Sequence, residues 1–188
     1  MQTNFVLALT GPDRIGIVQE LTGLLLRRGG NVETSRMARL GGEFAVLMLV
    51  AMPSDRFAGL EGDLGGLSAQ GYTFTISGAR AGQGGAQPGW VPYRIAVEGA
   101  DHEGIIHEVA HFLSERGINI ESMDSECLPG ATSGVPLFSM TAEVLAPPGL
   151  DADDWRAGLA AIGRRLNLDV RADEAGHARA EPREDATP

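Results

Sequence analysis

The chain has 188 residues, 43% of them hydrophobic, which suits one ordinary core or two small ones and is too apolar for a disordered polypeptide. A formal charge of -10, with only 15 Lys and Arg, argues against a surface built to neutralise phosphates, so direct nucleic-acid binding is not expected. The single cysteine, Cys127, rules out an intramolecular disulfide. The opening MQTNFVLALTGPDR has neither the layout of a signal peptide nor a span long enough for a bilayer, so a cytoplasmic protein without a membrane segment is expected.

The elements come in the same order twice. A strand-like run, Asn4 to Thr10, leads through a loop carrying Gly and Asp to a helix whose apolar stripe is Ile17, Val18, Leu21, Leu24 and Leu25. Gly29 is the expected end of that helix. Val32 to Leu40 and Glu43 to Met52 read as strands joined by Gly41-Gly42, a pair suited to a tight hairpin. Phe57, Leu60, Leu64 and Leu67 mark one face of a second helix, weakened by Gly59, Gly62, Gly65 and Gly66, and Tyr72 to Ser77 closes the set as a strand.

The second set begins at Tyr93 to Glu98. Its helix carries Ile105, Ile106, Val109, Phe112 and Leu113 and ends at Gly117. A longer loop, LPGATSGVP, replaces the hairpin turn before Leu137 to Leu145. Trp155, Leu159, Ile162 and Leu166 mark a helix with Asp151 as N-cap and Asp154 in its first turn, and Leu168 to Ala172 is the last strand. The two sets are also related by sequence: TGPDRIGIVQELTGLLLRRGGNVETS from Thr10 returns as EGADHEGIIHEVAHFLSERGINIESM from Glu98, without a gap. The expectation is an α+β chain of two ferredoxin-like βαββαβ domains, each an antiparallel four-stranded sheet with two helices on one face. Residues 1–79 form the first and 90–173 the second, with a flexible Gly- and Pro-bearing linker at 80–89 and a disordered acidic tail at 174–188.

Three features suggest chemistry. His107-Glu108-Val109-Ala110-His111 matches the helical zinc signature H-E-x-x-H. The two histidines point away from the apolar stripe, a third ligand is missing at the usual spacings, and the first copy has Gln19-Glu20-Leu21-Thr22-Gly23 instead. An exposed helix face without metal is therefore expected. Cys127 has no catalytic signature around it. Arg27, Arg28, Arg36 and Arg39 are diluted by Glu33 and Glu43 and read as a solvated face. No catalytic residue, metal or cofactor is assigned.

What remains is the repeated loop entering each first helix, Gly11-Pro12-Asp13-Arg14-Ile15-Gly16 and Gly99-Ala100-Asp101-His102-Glu103-Gly104. Unpaired amides and the positive dipole end at a helix start suit a small carboxylate, and Gly16 and Gly104 would admit it close to the backbone. Equally, Asp13 and Asp101 are good N-caps and the glycines could serve packing alone. Asn31 and Asn119, where helix hands over to strand, offer an acceptor and a donor that suit a ligand with an ammonium and a carboxylate, or simply a turn.

On GPDRIGIV, GGNVETSRM, DHEGII and GINIESM the chain resembles the ACT-domain family, in particular its two-domain members typified by the glycine cleavage system transcriptional repressor. The resemblance implies regulatory binding of glycine or another small amino acid, usually where ACT domains meet. By position it implicates Asp13, Arg14, Ile15, Gly16, Asn31 and Val32, then Asp101, His102, Glu103, Gly104, Asn119 and Ile120. If one copy alone binds, the first is expected, because His102-Glu103 replaces Arg14-Ile15 in the second. The resemblance further implies a homodimer and a regulatory protein partner, with transcriptional co-regulation as the outcome. The alternatives are a ligand-free dimerisation or interaction module, or a regulatory subunit of an amino-acid metabolic enzyme.

Overall fold

The structure, a computed structural model, describes residues 1–79, 88–129 and 135–175. The chain divides into two compact units, Met1–Gly85 and Ala86–Pro188. Most of the expected linker, the middle of the LPGATSGVP loop and nearly all of the expected tail lie outside the described residues.

In the first unit the order is β1 (Gln2–Pro12), α1 (Ile17–Arg27), β2 (Asn31–Leu40), β3 (Glu43–Pro53), α2 (Ser54–Phe57), α3 (Leu60–Ser68) and β4 (Thr73–Gly78). The second runs β5 (Val91–Ala100), α4 (Ile105–Glu115), β6 (Asn119–Leu128), β7 (Leu137–Ala146), α5 (Ala152–Leu166) and β8 (Leu168–Glu174). The sheets have strand orders β2-β3-β1-β4 and β6-β7-β5-β8, antiparallel throughout. This is the ferredoxin-like arrangement expected from the sequence.

Alternation along the central strands explains the layering. Phe5, Leu7 and Leu9 of β1, with Val46, Met48 and Val50 of β3, are almost wholly buried against Leu21 and Leu25 of α1 and Leu60, Leu64 and Leu67 of α3. Tyr93, Ile95 and Val97 of β5 do the same beneath Val109, Leu113, Trp155 and Leu159. Gly29 and Gly117 do end the first helices, with the next amides, Gly30 and Ile118, bonded back to Leu25 and Leu113 at 2.8 and 3.0 Å. Asp151 caps α5 as expected, accepting from the amides of Asp153 and Asp154.

One expected helix is broken. The stretch carrying Phe57, Leu60, Leu64 and Leu67 becomes α2 and α3 because the Arg28 guanidinium lodges at the break. It donates to the Arg56 carbonyl at 2.9 Å and to Asp63 at 2.5 Å. A Cβ on Gly59 would lie 2.6 Å from that guanidinium, so the glycine makes room for it.

Gly11 and Gly99 serve close packing. A Cβ at Gly11 would sit 2.5 Å from Tyr72 Cδ1 and 3.0 Å from Tyr72 Cα, and one at Gly99 would lie 2.6 Å from Leu168. Gly11→Ala is therefore expected to lower stability by about 1–3 kcal/mol in urea titration, since a backbone atom cannot swing aside. A cost under about 0.5 kcal/mol would show that the β1–β4 contact is looser than described.

Candidate functional site

The loop Asp13 to Gly16 lies at one end of the first sheet, where β1 leaves the strands and α1 begins. Gly16 is the N-cap residue, with φ 92°, and α1 has no side-chain cap hydrogen bond. Gly104 repeats this with φ 90°. Both values fall in the left-handed region that favours glycine, and nothing lies within 4 Å of where a Cβ would project. The Ile17 amide bonds the Arg14 carbonyl at 3.4 Å, and no side chain caps the start of α1.

Asp13 is not the N-cap. Its backbone amide donates to the Gly42 carbonyl at 2.9 Å and its carboxylate takes Arg39 Nε at 2.7 Å, which ties the loop to the β2–β3 hairpin. Asp101 behaves in parallel: its amide donates to the Pro136 carbonyl, and its side chain hydrogen-bonds Cys127, the residue occupying Arg39's place in the repeat. That bond, with some desolvation and the charge of Asp101, pushes the thiol of the exposed Cys127 up, opposite to what a nucleophile needs.

Arg14 is the centre of the first loop. Its guanidinium pairs with Glu20 and donates to Gln70 Oε1 at 2.8 Å, and its carbon stands 5.7 Å from the Tyr72 ring centroid. Tyr72 in turn donates to the Pro12 carbonyl at 2.6 Å. Beside this cluster an open groove of about 440 Å³ runs along α1, lined by Arg14, Gly16, Gln19, Glu20, Gly23 and Arg27. Two cations and one carboxylate therefore share one open, shallow surface. The Arg14 guanidinium, followed by Gln70, holds the Glu20 carboxyl below its ordinary value, so it stays ionised near neutrality. Sequence reasoning missed Gln19, Glu20, Gly23 and Arg27, which read only as the polar side of a helix. Ile15 is fully exposed and does not line the groove.

Asn31 and Val32 are elsewhere. Asn31 pairs with Ala51, which pairs with Asn4, whereas the loop follows Pro12. The intervening strand rise puts the two sets about 27 Å apart within one unit. Val32 packs on the first core and Ile120 on the second, so their side chains are structural. Both units carry a β-bulge here, between Val32 and Thr34 and between Ile120 and Ser122, which leaves Glu33 and Glu121 as the unpaired residues. Asn119 donates to Glu121.

The second unit lacks the groove's features. His102 sets its ring nitrogens at 3.0 Å from the Glu103 carbonyl and 3.2 Å from that of Leu166, and Glu108 pairs with Arg165 at 2.6 Å. In the repeat, His111 stands for Gly23 and Glu115 for Arg27. His107 and His111 are exposed and stacked, centroids 6.0 Å apart, with His111 3.5 Å from Glu115. Among the described residues no group of three or more His, Cys, Asp or Glu could hold a metal, and no helix is long and apolar enough to cross a membrane. The arginine cluster is dispersed: Arg28 joins Asp63, Arg39 joins Asp13, and Arg36 reaches its neighbour's carbonyl.

Glu20, Asp63 and Glu108 all have depressed carboxyl pKa values, set first by hydrogen bonds from Arg14, Arg28 and Arg165. A lowered folded pKa means the unfolded chain binds protons first, so these contributions are present above about pH 4 and are lost as pH falls through the folded values. The melting temperature should drop on acidification from pH 5 to 3, and by less in Arg28→Met. An unchanged midpoint would show these pairs to be energetically silent.

An ACT domain family model matches residues 3–74, which lie in the first unit. Two crystal structures align along nearly the whole chain. One, an unknown protein from Galdieria sulphuraria, is 31% identical with a TM-score of 0.80, over 93% of this chain and 99% of its own. The other, a candidate glycine cleavage system transcriptional repressor, is 21% identical with a TM-score of 0.66, over 92% and 97%. No curated protein matches the chain.

Proposed function

The chain belongs to the ACT-domain family, as two such domains in tandem, and from that premise we propose that it is a non-catalytic regulatory protein that binds glycine or another small amino acid. The observation that carries the reading is the groove on α1, where Arg14 and Arg27 stand beside Glu20 and next to the uncapped start of the helix. An amino acid is a zwitterion. Its carboxylate suits the arginines and the first-turn amides, and its ammonium suits Glu20. Glu20 and Gln70 engage one nitrogen of Arg14, and a guanidinium carries five N–H donors, so capacity remains for a carboxylate. Gly23 keeps the floor of the groove low, which favours a ligand with a small side chain. The Asn31 end contributes to the same ligand only if a second ACT unit supplies it.

The output is ligand-dependent contact with a regulatory protein partner by a cytoplasmic homodimer. Transcriptional co-regulation of the glycine cleavage system is the role suggested by the two-domain neighbour. The acidic charge of -10 supports action through protein rather than through DNA.

Calorimetric titration with glycine, alanine and serine, set against acetate, methylamine and glycinamide, tests the zwitterion requirement. Binding of an amino acid with none by the three analogues is the expected result. Equal binding of acetate would reduce the site to an anion pocket, and no binding at all would favour a ligand-free interaction module.

A further inference from the structure

Within the first unit, both helices lie on one face of the sheet and no described element of that unit covers the other. Alternation turns Val6 and Ala8 of β1, and Ala45, Leu47 and Leu49 of β3, away from the helices. The register sets Leu49 against Val6, Leu47 against Ala8 and Ala45 against Thr10, so these side chains form one apolar strip across the two central strands. Ala38 and Leu40 extend it onto β2, and Leu47 and Leu40 are 51% and 82% exposed.

The fold does not demand this apolarity, as the second unit shows. The positions matching Val6, Thr10, Leu47 and Leu49 by register are Arg94, Glu98, Thr141 and Glu143, and Asp124 and Glu126 flank them on β6. Arg94 and Glu143 stand 3.7 Å apart there as a solvated pair. One topology thus carries a charged open face in one copy of the repeat and an apolar one in the other.

We propose that the open sheet face of the first unit is the surface through which two copies of this chain pair, sheet against sheet. The occupant follows from area and charge. Three strands about ten residues long and the six-residue β4, about 4.8 Å apart, present roughly 590 Å² per copy, so a self-pair buries about 1,200 Å², at the lower end of stable interfaces. Twisted sheets of like shape stack at about -30° with their side chains interdigitated. In a molecule of net charge -10 the middle of this face is uncharged, and its charges, Arg36 on β2 and Glu43 at the start of β3, are one of each sign. A partner chosen by charge would call for a charged face, whereas an identical apolar face needs none. The proposal rests on the homodimer part of the functional reading and not on its ligand.

The test is sedimentation equilibrium of the full chain, without added amino acid, from about 1 to about 100 µM. Wild type should approach twice its 19.8 kDa mass. A variant carrying the second unit's own residues, Val6→Arg, Leu47→Thr and Leu49→Glu, should remain monomeric with an unchanged circular dichroism spectrum. Monomeric wild type across the range overturns the proposal, and so does a folded triple variant that still dimerises, which would place the contact at another surface. Should the triple variant not fold, Leu47→Thr decides: a dissociation constant raised at least about ten-fold supports the face, and an unchanged one overturns it. Because no amino acid is present, failure here leaves the ligand reading standing, and failure of ligand binding leaves this one standing.

Discussion

Trp155→Ala is expected to cost about 3–5 kcal/mol of stability, because it empties the largest wholly buried site of the second unit. The indole is 1% exposed and meets Tyr93 edge to face, ring centroids 5.0 Å apart at 85°. It fixes α5 on the sheet together with Leu159. Its Nε1 has no hydrogen-bond partner among the described residues. Trp155→Phe keeps most of the ring and should cost far less than the alanine variant. The two units have separate cores, so a transition followed through the first unit should not move. Urea unfolding monitored by circular dichroism reads both, and a loss below about 1 kcal/mol for Trp155→Ala would contradict this packing.

Arg14→Ala is expected to weaken amino-acid binding by roughly ten- to a hundred-fold, the worth of a hydrogen bond to a charged group. Stability should change little, since the Arg14–Glu20 pair is more than a third exposed and surface pairs contribute little. The split between affinity and stability distinguishes a binding residue from a structural one. Gly23→His provides a steric counterpart: it installs the second unit's residue on the groove floor and should abolish binding while the helix persists. Titration calorimetry and thermal melts of both variants check this. Wild-type affinity in both would move the ligand away from α1.

Most of the fold was legible in the sequence because it depends on period. The gap-free repeat fixed two units, the stripes from Ile17 and Ile105 fixed the first helices, and Gly41-Gly42 fixed the hairpin. The break between α2 and α3 was not legible, since it depends on Arg28 meeting Asp63 and the Arg56 carbonyl, a contact without periodicity. The role of Asp13, left open between N-cap and ligand contact, was not legible for a similar reason: its partner, Arg39, comes from a distant strand. The loop around Arg14 was legible as a repeated Gly-Asp segment, but the groove was not, because Gln19, Glu20, Gly23 and Arg27 look like any solvated helix face. The signal that could have found it is the repeat itself, where Gly23 and Arg27 become His111 and Glu115. Register also separates Asn31 from Asp13, which spacing along the chain could not reveal.

The most direct test of the central claim is a thermal-shift screen of the purified chain against the twenty amino acids, each at saturating concentration. The account predicts that one or a few small amino acids stabilise the protein, by about 2.7 kcal/mol at a hundred times the dissociation constant. A folded protein whose melting point none of the twenty raises would contradict it.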